Sequence, residues 1–162
     1  MNDSANTIDV CIATYKRPSL LHECLESLFQ QQELDGYAIK IIIVDNDQNE
    51  TAKSTVDSIE FPCYISVVYD VQPEKNIALA RNLALSHSKS TYIAFIDDDE
   101  RADELWLKNH ITNINDNRAD VSAGPVIPLF RKNAPEWVVK GDFFQQMNHE
   151  EGCERDTAWT GN

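Results

Sequence analysis

Glycine is scarce in this chain, with five in 162 residues. Gly36, Gly124, Gly141, Gly152 and Gly161 are too scattered to compose G-x-G-x-x-G or G-x-x-x-x-G-K-[ST]. The glycine-rich phosphate cradles of dinucleotide-binding folds and P-loop nucleotidases are thereby disfavoured, so side chains or a metal must meet any phosphorylated ligand. Positive charge is also short: 14 Lys+Arg against 27 Asp+Glu leave a formal net charge of −13. A surface that acidic repels nucleic-acid backbones and anionic lipid headgroups. No C-x-x-C pair joins Cys11, Cys24, Cys63 and Cys153, and three of the four lie in apolar stretches, so reduced structural thiols are expected rather than a metal site. His22, His87, His110 and His149 show no ligand spacing and no neighbouring nucleophile. No apolar run nears the ~18 residues of a membrane span, and Met1 to Thr7 has neither the basic start nor the apolar centre of a signal peptide, so a cytoplasmic protein is expected.

What is present is an alternation. Ile8 to Thr14 is a nearly continuous β-prone run, the pattern of a strand covered on both faces. Pro18 suits a first helical turn, and Leu20, Leu21, Cys24, Leu25, Leu28 and Phe29 repeat on one helical face after it. Ile39 to Val44 reads as a second strand, Ala52, Val56 and Ile59 as a short helix, Cys63 to Tyr69 as a third strand and Ile77 to Leu85 as a helix. Tyr92 to Ile96 is a fourth strand, and Leu107, Ile111 and Ile114 mark the helix beyond it. Val121 to Leu129 reads as an edge or bent fifth strand, interrupted by Pro125 and Pro128. Beyond Phe130 the periodicity fails, leaving Trp137, Phe143, Phe144 and Trp159 in irregular sequence.

Strands alternating with helices predict an α/β fold with a mostly parallel central sheet flanked by helices, its ligands at the carboxyl ends of the strands. Those ends are Thr14 to Arg17, Asp45 to Asp47, Tyr69 to Asn76 and Asp97 to Glu100. Four adjacent acids repel one another unless solvated or neutralised. In an extended chain Asp97 and Asp99 project to one side and suit Mg²⁺ or Mn²⁺, ions held by one or two carboxylates plus phosphates and water. The competing reading is a solvated acidic loop that caps the following helix. Asp45 is read as a hydrogen-bond acceptor at a strand end, with an Asx-turn as the alternative. An EF-hand fails there, because the glycine it needs would fall on Glu50 and its terminal Glu on Val56. Lys16, Arg17, Lys75 and Arg81 are scarce cations at the strand ends, able together to receive a diphosphate or a base edge. A receiver-like phosphoacceptor domain wants acids on its first strand, and that strand ends instead in Thr14-Tyr15-Lys16-Arg17.

Ile8 to Pro18, Val44-Asp45-Asn46-Asp47, Asn76 to Asn82 and Ala94 to Glu100 resemble, in order and spacing, the successive motifs of a family-2 glycosyltransferase of the GT-A fold. Trp106-Leu107, Gly124-Pro125-Val126, Pro135-Glu136-Trp137, Gly141-Asp142-Phe143 and Thr160-Gly161-Asn162 are most similar to its succinoglycan-biosynthesis glucosyltransferase branch. The resemblance implies a Rossmann-like GT-A sandwich across residues 1–162 as one domain. It further implies an inverting transfer of a hexose, glucose or a related sugar, from a UDP-sugar to a saccharide or lipid-linked acceptor. By the same resemblance Thr14, Tyr15 and Arg17 line the nucleoside pocket, Asp45 accepts from the base, Arg81 lies near the nucleotide, Asp97 and Asp98 lie by the ribose and diphosphate, and Asp99 ligates Mn²⁺ or Mg²⁺. A lipid-linked acceptor carries the expectation of peripheral association with the inner face of the membrane. The family's Glu-Asp general base is expected after Asn162, and His149, Glu150, Glu151 and Asp156 do not match its motif. The sequence is therefore read as the donor half of the enzyme, with a non-catalytic nucleotide-sugar-binding module as the alternative.

Overall fold

A computed structural model describes residues 6–130 and 132–141. The chain resolves into two compact units, residues 1–109 and 110–162. The first contains β1 (Asn6–Thr14), α1 (Pro18–Leu28), β2 (Tyr37–Asp45), α2 (Lys53–Ser58), β3 (Ile65–Val71), α3 (Ile77–Ser86) and β4 (Tyr92–Phe95). Helix α4 (Trp106–Asn117) spans the boundary between the units, and α5 (Glu136–Lys140) belongs to the second.

The strands form one parallel sheet in the order β3-β2-β1-β4, so the first strand of the sequence is interior to the sheet. Register sets Cys11 beside Ile42 and Phe95, and Thr14 beside Asp45. Strand alternation sends Cys11, Ala13, Ile42, Val44 and Val68 to one face, where Ala80, Leu83 and Ala84 of α3 pack against them. Two alanines at the centre of that contact let the helix backbone lie close on the strands. Val10, Ile12, Ile41 and Ile43 point to the opposite face and are fully buried too. A sheet buried on both faces explains the unbroken apolar runs of β1 and β2. Arg17 stands at the N-cap of α1, Pro18 fills its first turn, and Leu21, Cys24, Leu25 and Leu28 form its buried stripe. Asn76 caps α3 by accepting from the backbone of Ala78 and Leu79 at 2.9 and 3.4 Å.

Within the second unit, His110 Nδ1 shares a 2.8 Å hydrogen bond with Ser122 Oγ, to which Asn113 Nδ2 also donates at 3.1 Å. Gly124 lies so close to the His110 ring that a Cβ there would meet Nε2 at 3.3 Å. The fifth strand expected over Val121 to Leu129 does not form, for the segment has no strand residues and Val121, Ile127 and Leu129 are exposed. Pro125 and Pro128 each remove a ladder donor, which is enough to keep so short a run out of a sheet. Cys63, expected among the buried thiols, is exposed, whereas Cys11 and Cys24 are buried. Phe143, Phe144, Cys153, Trp159 and the Thr160-Gly161-Asn162 motif lie outside the described residues.

Candidate functional site

The carboxyl ends of β1 and β4 are adjacent, and their side chains interlock. Thr14 Oγ1, at the last position of β1, donates to Asp98 Oδ2 at 2.7 Å in a buried contact. Arg17 uses a single nitrogen, NH1, to reach Asp98 Oδ1 at 3.2 Å and Asp99 Oδ2 at 2.7 Å. From α3, Arg81 NH2 donates to Asp97 Oδ1 at 2.8 Å. Arg17 thus neutralises Asp98 and Asp99 together and Arg81 neutralises Asp97, which eases the repulsion that like charges at adjacent positions bring.

The segment is a turn rather than extended chain: Glu100 N donates to Asp97 O at 3.0 Å, and Glu100 Oε2 accepts from Asp97 N at 3.1 Å. Strand alternation therefore does not sort these acids, and the premise that placed Asp97 and Asp99 together is replaced by exposure. The side chains of Asp97 and Asp99 are 51% and 47% exposed, that of Asp98 only 6%. Asp98 anchors the turn, and its two neighbours are the carboxylates that a hydrated ion can reach.

At the end of β2, Asp45 is fully buried and both its oxygens are engaged. Oδ1 accepts from Asp47 N at 3.0 Å, while Oδ2 accepts from Ala52 N at 2.8 Å and Tyr69 Oη at 3.0 Å. This is an Asx-turn extended to β3, so in this conformation Asp45 shapes the loop. Burial and the Asp45 charge together push the Tyr69 phenol well above its usual value. Asn46, to which the sequence reading gave no role, ties the next loop down. Its Nδ2 donates to the carbonyls of Gln72 and Glu74 at 2.9 and 2.6 Å, and its Oδ1 accepts from Asn76 N at 2.9 Å. An amide that donates and accepts at once is what bridging two backbone segments needs, and that chemistry was the available signal.

Tyr15 lies between the two halves of this rim. Lys16 Nζ is 5.1 Å and Lys75 Nζ 4.6 Å from its ring centroid, within cation–π range. Lys16 has a left-handed φ of 55°, and this kink separates Tyr15 from Arg17. Lys16 Nζ stands 3.9 Å from Asp47, whose Oδ2 is buried with no hydrogen-bond partner among the described residues. Burial alone would raise the Asp47 carboxyl, but hydrogen bonding from Asn49 and the Lys16 charge hold it below its ordinary value. The Asp98 and Asp99 charges raise the Arg17 guanidinium further. Burial, reinforced by the four acids, pushes the Cys24 thiol up to about 12, and its Sγ lies 3.6 Å from the Asp97 carbonyl.

All seven residues expected to hold the nucleotide, Thr14, Tyr15, Arg17, Asp45, Arg81, Asp97 and Asp98, and the expected metal ligands Asp99 and Asp97, therefore stand at the carboxyl ends of the strands or on the helix beside them. His149, Glu150, Glu151 and Asp156 lie outside the described residues. Among the described residues no three His, Cys, Asp or Glu side chains converge as a metal cage, and no helix is long and apolar enough to cross a membrane. A divalent ion here fits the chemistry of hard cations, which take one or two carboxylates and fill the remaining positions with phosphate oxygens and water.

Residues 9–160 match the family model described as glycosyl transferase family 2. The succinoglycan biosynthesis protein ExoM of Rhizobium meliloti (strain 1021) is 31% identical over 140 residues, covering 86% of this chain and 45% of that protein. The chondroitin synthase of Pasteurella multocida (strain Pm70) is 23% identical over 118 residues, covering 73% of this chain and 12% of the synthase. The chain thus spans less than half the length of these curated relatives. Among solved structures, S. aureus TarS 1-349 in complex with UDP-GlcNAc superposes with a TM-score of 0.61 at 19% identity, over 76% of this chain and 37% of that one. The mannosyltransferase PcManGT from Pyrobaculum calidifontis, in complex with GDP-Man and Mn²⁺, gives a TM-score of 0.57 at 21% identity over 64% of this chain and 31% of its own. These likenesses show the α/β GT-A fold.

Proposed function

The chain belongs to glycosyl transferase family 2, and from that premise we propose that it carries the donor site of an inverting, metal-dependent hexosyltransferase. Its donor is a UDP-sugar, glucose or a related hexose, and its acceptor a saccharide or lipid-linked saccharide of surface or exopolysaccharide biosynthesis at the inner face of the membrane. The observation that carries this reading is the rim of Thr14, Arg17, Arg81 and Asp97 to Asp99, where paired cations and accessible carboxylates share one end of a parallel sheet. The printed ligands of the neighbours, UDP-GlcNAc in one and GDP-Man with Mn²⁺ in the other, support a nucleotide-sugar donor and a divalent cation.

Asp99 is proposed to hold Mn²⁺ or Mg²⁺, with Asp97 as the second reachable carboxylate. When bound, the cation supplies Lewis acidity that neutralises charge on the departing diphosphate. Thr14 fixes the turn through Asp98, Arg81 orients Asp97, and Tyr15 with Lys16 and Lys75 forms the nucleoside side of the rim. Inversion also needs a general base at the acceptor hydroxyl, a role assigned to none of the described residues.

Titration calorimetry of UDP with and without Mn²⁺ tests the reading. Metal-dependent binding is expected, and its absence at millimolar UDP would sink it. Asp99→Ala, at a half-exposed side chain, should abolish the metal dependence and leave the melting temperature unchanged.

A further inference from the structure

The cation site has an occupant of its own. Arg17 NH1 sits end-on between Asp98 Oδ1 and Asp99 Oδ2, at 3.2 and 2.7 Å. A divalent ion that takes Asp99 takes the carboxylate this nitrogen already holds, and the two cations then compete for its single negative charge and repel each other across it. The two contacts are not equivalent. Asp98 is buried and locked by Thr14 at 2.7 Å, so it cannot follow a departing partner, whereas Asp99 is half exposed. The Arg17 backbone is also fixed, its carbonyl accepting from Leu21 N at 3.0 Å in the first turn of α1, while its side chain is 51% exposed. Motion is thereby confined to the side chain. Because only one of its nitrogens is engaged among the described residues, the rest of the guanidinium fork is available to an anion in the two-point geometry that suits phosphate.

We infer that Arg17 is an exchangeable counter-ion: it holds Asp99 in the absence of metal, cedes it to the divalent cation, and turns to the donor diphosphate while Asp98 keeps it at the site. The inference rests on the metal reading of Asp99 given above. Removing the guanidinium should then have opposite effects on the two ligands.

The experiment measures Mn²⁺ binding, by the electron paramagnetic resonance signal of the free ion, with and without UDP in the wild-type chain, Arg17→Met and Arg17→Lys. UDP affinity is measured by calorimetry in saturating Mn²⁺, and thermal melts confirm that each variant is folded. Without nucleotide, Arg17→Met is expected to bind Mn²⁺ about three- to tenfold more tightly, the scale of one or two part-exposed ion pairs. In Mn²⁺ the same variant should bind UDP about tenfold more weakly, with Arg17→Lys intermediate in both. Loss of a merely structural residue would weaken both ligands together. Unchanged or weaker Mn²⁺ binding by folded Arg17→Met, against a wild-type chain that does bind Mn²⁺, overturns this inference and leaves the metal reading standing. A wild-type chain that binds no Mn²⁺ even with UDP overturns both.

Discussion

Replacing Thr14 by valine removes one hydroxyl and little else. The two side chains have the same shape, valine is at least as favourable in a strand, and the Thr14 carbonyl keeps its 2.8 Å bond from Asn46 N. What is lost is the 2.7 Å donation to Asp98 Oδ2, between residues 2% and 5% exposed. A hydrogen bond to a charged group contributes about 1.5–3 kcal/mol, and leaving a buried acceptor bare carries its desolvation penalty. Arg17 still reaches the other Asp98 oxygen at 3.2 Å, which sets the expected loss near the middle of that range, about 2 kcal/mol. For a chain of this size that corresponds to a melting temperature about 4–8 °C lower. Urea unfolding followed by far-ultraviolet circular dichroism measures it, with an unchanged m-value showing that the unfolded state is the same. Thr14→Ser should restore most of the stability, since it keeps the oxygen. A loss below about 0.5 kcal/mol, or a serine variant as unstable as the valine one, would refute the claim that this bond holds the acidic turn to the sheet.

Asn46→Ala leaves the carbonyls of Gln72 and Glu74 and the amide of Asn76 without their partner, at a cost of about 1.5–4 kcal/mol. Amide exchange in residues 72–76 should accelerate in that variant, and an unchanged rate would show the loop to be held by something else. Burial opposes ionisation of Asp9, but hydrogen bonds from Ser90, Ser88 and Lys40 win and lower its pKa below 3.8. The stabilisation it brings is therefore complete above pH 3.8 and is lost as the pH falls through the lower folded-state value, so Asp9→Asn should flatten the dependence of melting temperature on pH below pH 4. Cys63 should react with a maleimide well before Cys11 and Cys24, whose buried thiols are pushed up to about 11 and 12, and peptide mapping of the labelled protein gives the order.

The two interior strands could be read from the sequence because β1 and β2 are buried on both faces. Ile8 to Thr14 and Ile39 to Val44 had nowhere to go but an interior position, and β1 and β2 extend those readings only at their ends. Their carboxyl ends are where the candidate rim stands. The failures share a cause, which is dependence on partners distant in sequence. Val121 to Leu129 has strand-like composition without a paired neighbour, and composition does not report pairing. The alternation of Asp97 and Asp99 presupposed extended backbone, which the Glu100 side chain prevents by bonding back to Asp97 N. Asp45 left two readings open, and Tyr69, 24 residues away, completes the turn. Nothing local in Thr14 or Arg17 announces that either will hold an acid more than 80 residues further on.

That separation has a consequence in time. β1 is synthesised before β4, yet Thr14 at its end and Arg17 just beyond it bond to Asp98 and Asp99, 84 and 82 positions later. The loops that such contacts close are among the costlier ones entropically, and their formation is correspondingly slow. The proposed donor rim is thus finished only when β4 docks beside β1, so a partly folded chain with β1, β2 and β3 in place lacks Asp97, Asp98 and Asp99. Any ligand that occupies this rim therefore stabilises the β1–β4 seam of the sheet.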